Sequence, residues 1–134
     1  MPTLIDTSVW IDFTRARSPQ SLKQFIAPYI LDPAAHLAEP IAFEVLRHAT
    51  PQEALLLNRE FETFPMLETP ADLWRSATRL GQSCRKAGIN AGSLDLLIAG
   101  IALAHNAMLI TFDDNFRSIA KTCHLQVELL SRPR

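Results

Sequence analysis

Asp6, Glu44, Asp95 and Asp113 are the residues whose types and positions could do chemistry together. Asp6 ends the apolar pair Leu4-Ile5, and Asp113 closes an apolar run through Thr111-Phe112, so both fall where a strand should stop. Asp95 lies in the first turn of an expected helix, Leu94–His105, that is otherwise apolar or glycine as far as Ala104. Glu44 lies between Phe43 and Val45 in another apolar stretch. Carboxylates gathered at one crevice repel one another and raise each other's pKa, and divalent cations remove that penalty. Ligation by oxygen alone, without His or Cys, suits Mg²⁺ or Mn²⁺. An ion held in this way lowers the pKa of water and offsets charge on a phosphoryl oxygen. The chemistry implied is metal-assisted hydrolysis of a phosphodiester, with no histidine base.

Each acid also has an ordinary role open to it. Asp6 and Asp113 are good helix caps or turn formers. Glu44 can face solvent and pair with Arg47 at i+3 or His48 at i+4. Asp95 complements a helix dipole, worth roughly 0.3–1 kcal/mol. That role does not require a helix apolar on every side, however, and such a helix is buried. What favours a shared crevice is repetition. An apolar strand ends on an acid near both ends of the chain, and in open α/β sheets ligands bind beyond the carboxyl ends of the strands.

The elements that must position these acids follow from periodicity and caps. After the strand at Leu4-Ile5, Val9, Trp10 and Phe13 recur as one helix face. Ser18-Pro19 predicts a helix start, with Leu22, Phe25 and Ile26 inward. Residues 28–35 predict a loop or a fraying helix end, and His36–Glu39 a short second strand. Glu39-Pro40 should break regular structure, with a helix from near Ile41 carrying Glu44 and Arg47. Thr50-Pro51-Gln52-Glu53 is a capping box, opening a helix with Leu57 and Phe61. Met66–Glu68 predicts a third strand. Thr69-Pro70 opens a helix with Leu73, Trp74, Ala77 and Leu80 facing in, closed around Arg85–Gly88. Ser93 caps the Asp95 helix. A strand over 107–111, a short helix over 114–121 and a strand over 125–129 complete the chain. Strands alternating with helices predict an α/β fold with a mostly parallel sheet covered on both faces.

With 134 residues, 48% hydrophobic and 20% charged, the chain suits one globular domain, 1–134, rather than two or a disordered segment. The longest apolar run, Leu96–Ala104, is too short to span a bilayer. No basic-then-apolar leader is apparent at the N-terminus. Cys84 and Cys123 are far apart, as expected of free thiols in a reducing cytoplasm, and no His spacing indicates zinc. A net charge of −1 excludes a uniformly basic nucleic-acid binder, but ten of the thirteen cations are Arg, which suits bidentate contacts to phosphate.

Four motifs in order carry a family resemblance: LIDTSVWID with Asp6, FEVLRH with Glu44, SLDLLIAGIALAH with Asp95, and LITFDDNF with Asp113. Together they resemble the PIN-domain ribonucleases, specifically the toxins of type II toxin–antitoxin pairs, the VapC family. The resemblance covers nearly the whole length. It implies a three-layer α/β/α PIN-like fold with an acidic Mg²⁺ or Mn²⁺ pocket, cleavage of RNA, a homodimer, and silencing by a cognate antitoxin. It further implies that Thr7 or, as the better match, Ser8 contacts water or phosphate. Two positions depart from the family pattern. His48 stands where Gly commonly follows Arg47, and Asn115 stands where a further acid is common. Asn115 still offers an oxygen as ligand or water contact, without charge. Arg15, Arg17 and Arg47 are candidates to hold the RNA backbone.

Other readings meet specific obstacles. An aspartyl-phosphate phosphatase would want a second Asp two residues after Asp6, where Ser8 stands. A phospho-receiver would want a Lys near Asp113, and the nearest is Lys121. A PIN-like scaffold that binds RNA or protein without cleaving it remains the alternative, although none of the acids is lost. Trp10 and Trp74 could stack on unpaired bases, but their spacing favours core or dimer packing.

Overall fold

Three residues, Thr3–Ile5 (β1), form the pivot of the sheet. The computed structural model describes residues 1–134 and orders them as β1, α1 (Thr7–Thr14), α2 (Gln20–Leu31), β2 (Ala35–His36), α3 (Glu39–Arg47), α4 (Pro51–Thr63), α5 (Leu73–Lys86), α6 (Ser93–Ala104), β3 (Met108–Thr111), α7 (Asn115–Ala120) and β4 (Gln126–Leu129). The strands lie in the order β2-β1-β3-β4, and every pair is parallel. The chain leaves β1 towards β2 on one side and reaches β3 on the other. That reversal opens a crevice beyond the strand ends, where ligands bind in such sheets.

Register sets what stands at that crevice. Ile5 pairs with Ile110, and the Asp6 amide donates to the Ile110 carbonyl at 3.0 Å. Asp6 and the residues after Thr111 therefore leave the sheet side by side. The central strands β1 and β3 are largely apolar because helices cover them: Leu4, Ile5, Leu109 and Ile110 are all buried. α6 lies against this core with Ile98, Ala99, Ile101 and Ala102 wholly enclosed, as its all-round apolar pattern requires. The fold is the expected three-layer α/β/α arrangement, with a sheet that is parallel throughout.

Several local expectations are corrected. The helix over 20–31 runs through Pro28 rather than fraying there. Leu22, Ile26 and Ile30 form one buried stripe, which outweighs the single backbone bond that Pro28 lacks. The second strand is Ala35–His36, not His36–Glu39, because Pro40 fits the first turn of α3 and Glu39 enters the helix at its N-terminus. Met66–Glu68 forms no strand; a single parallel bridge joins Leu37 to Met66. Pro19 is itself the cap of α2, Gly92 rather than Ser93 is the cap of α6, and α5 begins at Leu73, three residues after Pro70. Trp74 is 74% exposed rather than inward, because the buried stripe of α5 is Leu73, Ala77, Leu80 and Cys84, one position round the helix. The Thr50–Glu53 capping box forms as expected.

Trp10 locks α1 onto α4. Its ring meets Phe61 and Phe64 edge-on, each at 5.1 Å between centroids. Its indole N–H is buried without an acceptor, so the side chain contributes packing and no hydrogen bond. Trp10→Ala should therefore cost roughly 3–5 kcal/mol in urea unfolding. Trp10→Phe, which removes the unsatisfied donor along with some area, should cost about 1 kcal/mol or less. Equal losses for the two variants would contradict this account.

Candidate active site

Asp6 is the most enclosed of the acids, with only 2% of its surface exposed. Its Oδ2 accepts the Ser8 hydroxyl at 2.9 Å and the Thr111 hydroxyl at 2.7 Å. Each of those hydroxyls in turn accepts a backbone N–H from the chain leaving β3. Phe112 donates to Ser8 Oγ at 3.1 Å, and Asp113 donates to Thr111 Oγ1 at 2.9 Å. The two ends of the chain are thus tied through one carboxylate oxygen. The other oxygen, Oδ1, is buried and has no hydrogen-bond partner. Burial holds the Asp6 carboxyl above its usual pKa, and the Thr111 and Ser8 hydroxyls oppose that rise.

Glu44, half-buried on α3, accepts the Thr7 hydroxyl at 2.7 Å, which joins it to the start of α1. Asp95 is half-buried in the first turn of α6. Its pKa is pushed up to about 6, first by loss of water and then by the negative charges of Asp113, Asp6 and Glu44. All four expected acids therefore share one neighbourhood, close enough for three of them to act on the fourth. Their side chains do not converge as ligands: no group of three His, Cys, Asp or Glu side chains closes on a common point. Gly92 lies beside the Asp95 carboxylate, where a Cβ would make an ordinary contact with Oδ2 at 3.7 Å.

Asp113 also fills the ordinary role foreseen for it, as its Oδ1 accepts the Asn115 backbone N–H at 3.0 Å. Asn115 and Asp114 are exposed at the start of α7. Ser8 and Thr7 are both engaged within the protein, by Asp6 and Glu44 respectively. Arg47 is exposed in the last turn of α3 and forms no ion pair with the acids; the chain's one ion pair joins Arg132 to Asp12 at 2.7 Å. Arg15 and Arg17 line a separate hollow of about 410 Å³ with His48, and none of the acids borders it. The residue that sequence reasoning passed over is Thr111. Its only signal was a polar residue closing an otherwise apolar strand.

The donor set fits a hard cation: carboxylate oxygens, one of them buried and unpartnered, with no His or Cys among them. Asp6 would hold such an ion through Oδ1, with Asp95, Asp113 and Glu44 as the surrounding acids.

Comparison with known proteins agrees with this geometry. The family model described as the PIN domain matches residues 3–122. Ribonuclease VapC11 of Mycobacterium tuberculosis is 32% identical over 128 residues, covering 92% of this chain and 95% of that protein, and a VapC ribonuclease of Mycobacterium bovis matches equally. Among solved structures, VapBC2 from Rickettsia felis, bound to a promoter DNA fragment, has a TM-score of 0.77 at 18% identity, covering 98% of this chain and 100% of that one. VapBC-1 from nontypeable Haemophilus influenzae has a TM-score of 0.72 at 22% identity, covering 96% and 98%. These structures share the fold, and the family match spans the stretch of chain from Asp6 to Asp113. This chain belongs to the PIN-domain family, among its VapC members.

Proposed function

We propose that this chain is a divalent-metal-dependent endoribonuclease and the toxin of a toxin–antitoxin pair, with residues 1–134 forming one PIN unit that acts in the cytoplasm. The observation that carries this reading is the unpartnered buried oxygen of Asp6, set among acids that raise the pKa of Asp95. A bound Mg²⁺ or Mn²⁺ would supply positive charge for the phosphoryl oxygens and make water a nucleophile at neutral pH. The protein's own residues do the rest. Ser8 and Thr111 orient Asp6 and favour its ionised form against the opposing effect of burial. Thr7 orients Glu44. Asp95 and Asp113 add the negative charge that draws a cation in, and the exposed Asn115 and Arg47 are the candidate contacts for water or substrate. The relatives' names favour RNA as the substrate, and the VapBC structures favour an antitoxin as partner. No helix is long and apolar enough to cross a membrane. Phe43, Leu55, Leu56 and Trp74 are exposed apolar side chains that an antitoxin or a second copy in a homodimer would cover.

Purified protein should cleave RNA with Mn²⁺ and stop when the ion is chelated. Asp6→Asn, Asp95→Asn and Asp113→Asn should each lower the rate by more than the ~100-fold that losing an outer-shell partner costs, with far-UV circular dichroism unchanged. Glu44→Gln should weaken Mn²⁺ binding in calorimetry. Intact RNA after incubation with the wild type would instead favour a scaffold that binds without cutting. Expression alone should arrest growth, and the neighbouring small gene's product should rescue it.

The raised pKa of Asp95 also predicts a pH effect on stability. Its folded-state value, about 6, lies above its ordinary 3.8, so folding favours the protonated form. The folded protein therefore bears no penalty at pH 3 and loses stability as pH rises through this window. In chelator at pH 7.5, Asp95→Asn should melt at a higher temperature than the wild type, and the gap should close near pH 4. A lower melting temperature for the variant at pH 7.5 would show that the ionised side chain is stabilising instead.

A further inference from the structure

The cations of this chain are not evenly spread. α5 carries Arg75, Arg79, Arg85 and Lys86 and no acid from Leu73 to Lys86, in a chain whose net charge is −1. All four are exposed, and none takes part in an ion pair. Arg85 and Lys86 answer the negative end of the helix dipole. That does not explain Arg75 and Arg79, which lie in the first half of the helix and, four residues apart, repel each other.

Arg79, Arg85 and Lys86 rim a hollow of about 560 Å³ completed by Gln82 and Ser83, with no apolar side chain in its wall. Such a wall offers nothing to the apolar face of a partner helix. Cations beside neutral donors suit oxyanions. Arg85 also lines the adjoining hollow, of about 440 Å³, with the loop Gly88–Ala91. That loop runs directly into Gly92 and the first turn of α6, beside the Asp95 carboxylate. Gly81 of α5 faces Leu96, the residue after Asp95, at 3.0 Å from its ideal Cβ position to the Leu96 side chain. The C-terminal turn of α5, with Arg85 and Lys86, is therefore one short loop from the acids, and Arg79 and Arg75 continue the basic face away from them, the Leu73 end lying beside Gly100. From Arg75 to Lys86 the face extends about 16 Å along the helix axis, room for several phosphates of an extended strand.

We propose that this face of α5 holds the phosphate backbone of the RNA strand that enters the acidic site. The inference rests on the ribonuclease reading of that site and adds the surface that delivers its substrate. Contacts of this kind read charge rather than sequence, and they weaken as salt rises.

The test is fluorescence anisotropy of a labelled single-stranded RNA, titrated with the full chain in EDTA so that binding is measured without cleavage. The variant Arg79→Gln/Arg85→Gln/Lys86→Gln changes exposed positions, and circular dichroism checks its fold. It should bind at least tenfold more weakly than the wild type at moderate salt. Its plot of log affinity against log salt should be shallower by about 2, three phosphate contacts at ~0.7 each. A charge-matched control, Lys23→Gln/Arg59→Gln/Lys121→Gln, should retain most of the affinity and slope. Equal effects from both triple variants would overturn the proposal by reducing it to net charge. Unchanged RNA binding by the α5 variant would overturn it too, and if that variant also lost antitoxin binding, the face would be a protein-docking one. Wild type that binds RNA through α5 but cuts nothing in Mn²⁺ would remove the enzyme reading and leave this surface standing.

Discussion

A carboxylate taken out of water at the end of β1 is the constraint to which the rest of the site responds. An ionised group in that position is costly unless donors surround it. Asp6 has hydroxyl donors on one oxygen, from Ser8 and Thr111, and the backbone N–H groups of Thr7 and Ser8 also favour its charged form. Each of those hydroxyls spends its proton on Asp6 and uses its lone pairs to hold the backbone at 112–113. The same contacts that make Asp6 tolerable therefore fix the segment that carries Asp113. The arrangement is incomplete, because Oδ1 makes no hydrogen bond of good geometry, and the charged groups gathered around it are further acids. A fold shaped by stability alone would place a donor or a cation at that point. This one places more negative charge there, the arrangement the proposed divalent ion would offset.

The short sheet is what allows so few residues to do this. With β1 only three residues long and paired to β3 in register, Asp6 follows its strand directly and Asp113 follows the neighbouring strand after the single residue Phe112. α6 then brings Asp95 in by its N-terminal turn, and α3 brings Glu44 across to Thr7. The tail closes the far side. Arg132 pairs with Asp12 on α1, and its guanidinium lies 4.3 Å from the centre of the Phe112 ring, which packs the segment after β3 from outside. Elements remote in sequence are thus held by side chains that each touch the strand ends.

Much of this was legible in the chain itself. Asp6 and Asp113 could be read because an acid following an apolar strand marks the sheet edge, and Asp95 because a helix apolar all round leaves a carboxylate at its start with few bland explanations. The Thr50–Glu53 capping box was readable because its partners are three residues apart. What could not be read depended on contacts between distant segments. Pro28 looks like a break until Ile26 and Ile30 are seen buried on one side. Trp74 looks like core until Leu73 is seen to hold that place. Thr111 looks like an ordinary strand residue until Asp6 arrives from 105 positions away. Local rules describe the donor and the acceptor separately, and only the packed chain shows them meeting.

The distribution of charge raises a problem that the near-neutral total conceals. A crevice of acids repels RNA, whose phosphates carry the same sign; on the proposed reading a cation in the crevice would offset charge at the scissile position only and leave the flanking phosphates without a partner. Those need positive charge outside the crevice but near it. α5 has that charge with no acid interspersed, and its C-terminal turn leads by one loop to the helix that carries Asp95. Separating the signs onto adjoining elements also keeps arginine side chains from folding back onto the carboxylates and occupying the cation's place. No ion pair links any of the four acids to an arginine or lysine. A chain with the same composition but its charges interleaved would gain surface ion pairs, each worth little. It would lose both the concentrated negative charge of the crevice and the open positive approach.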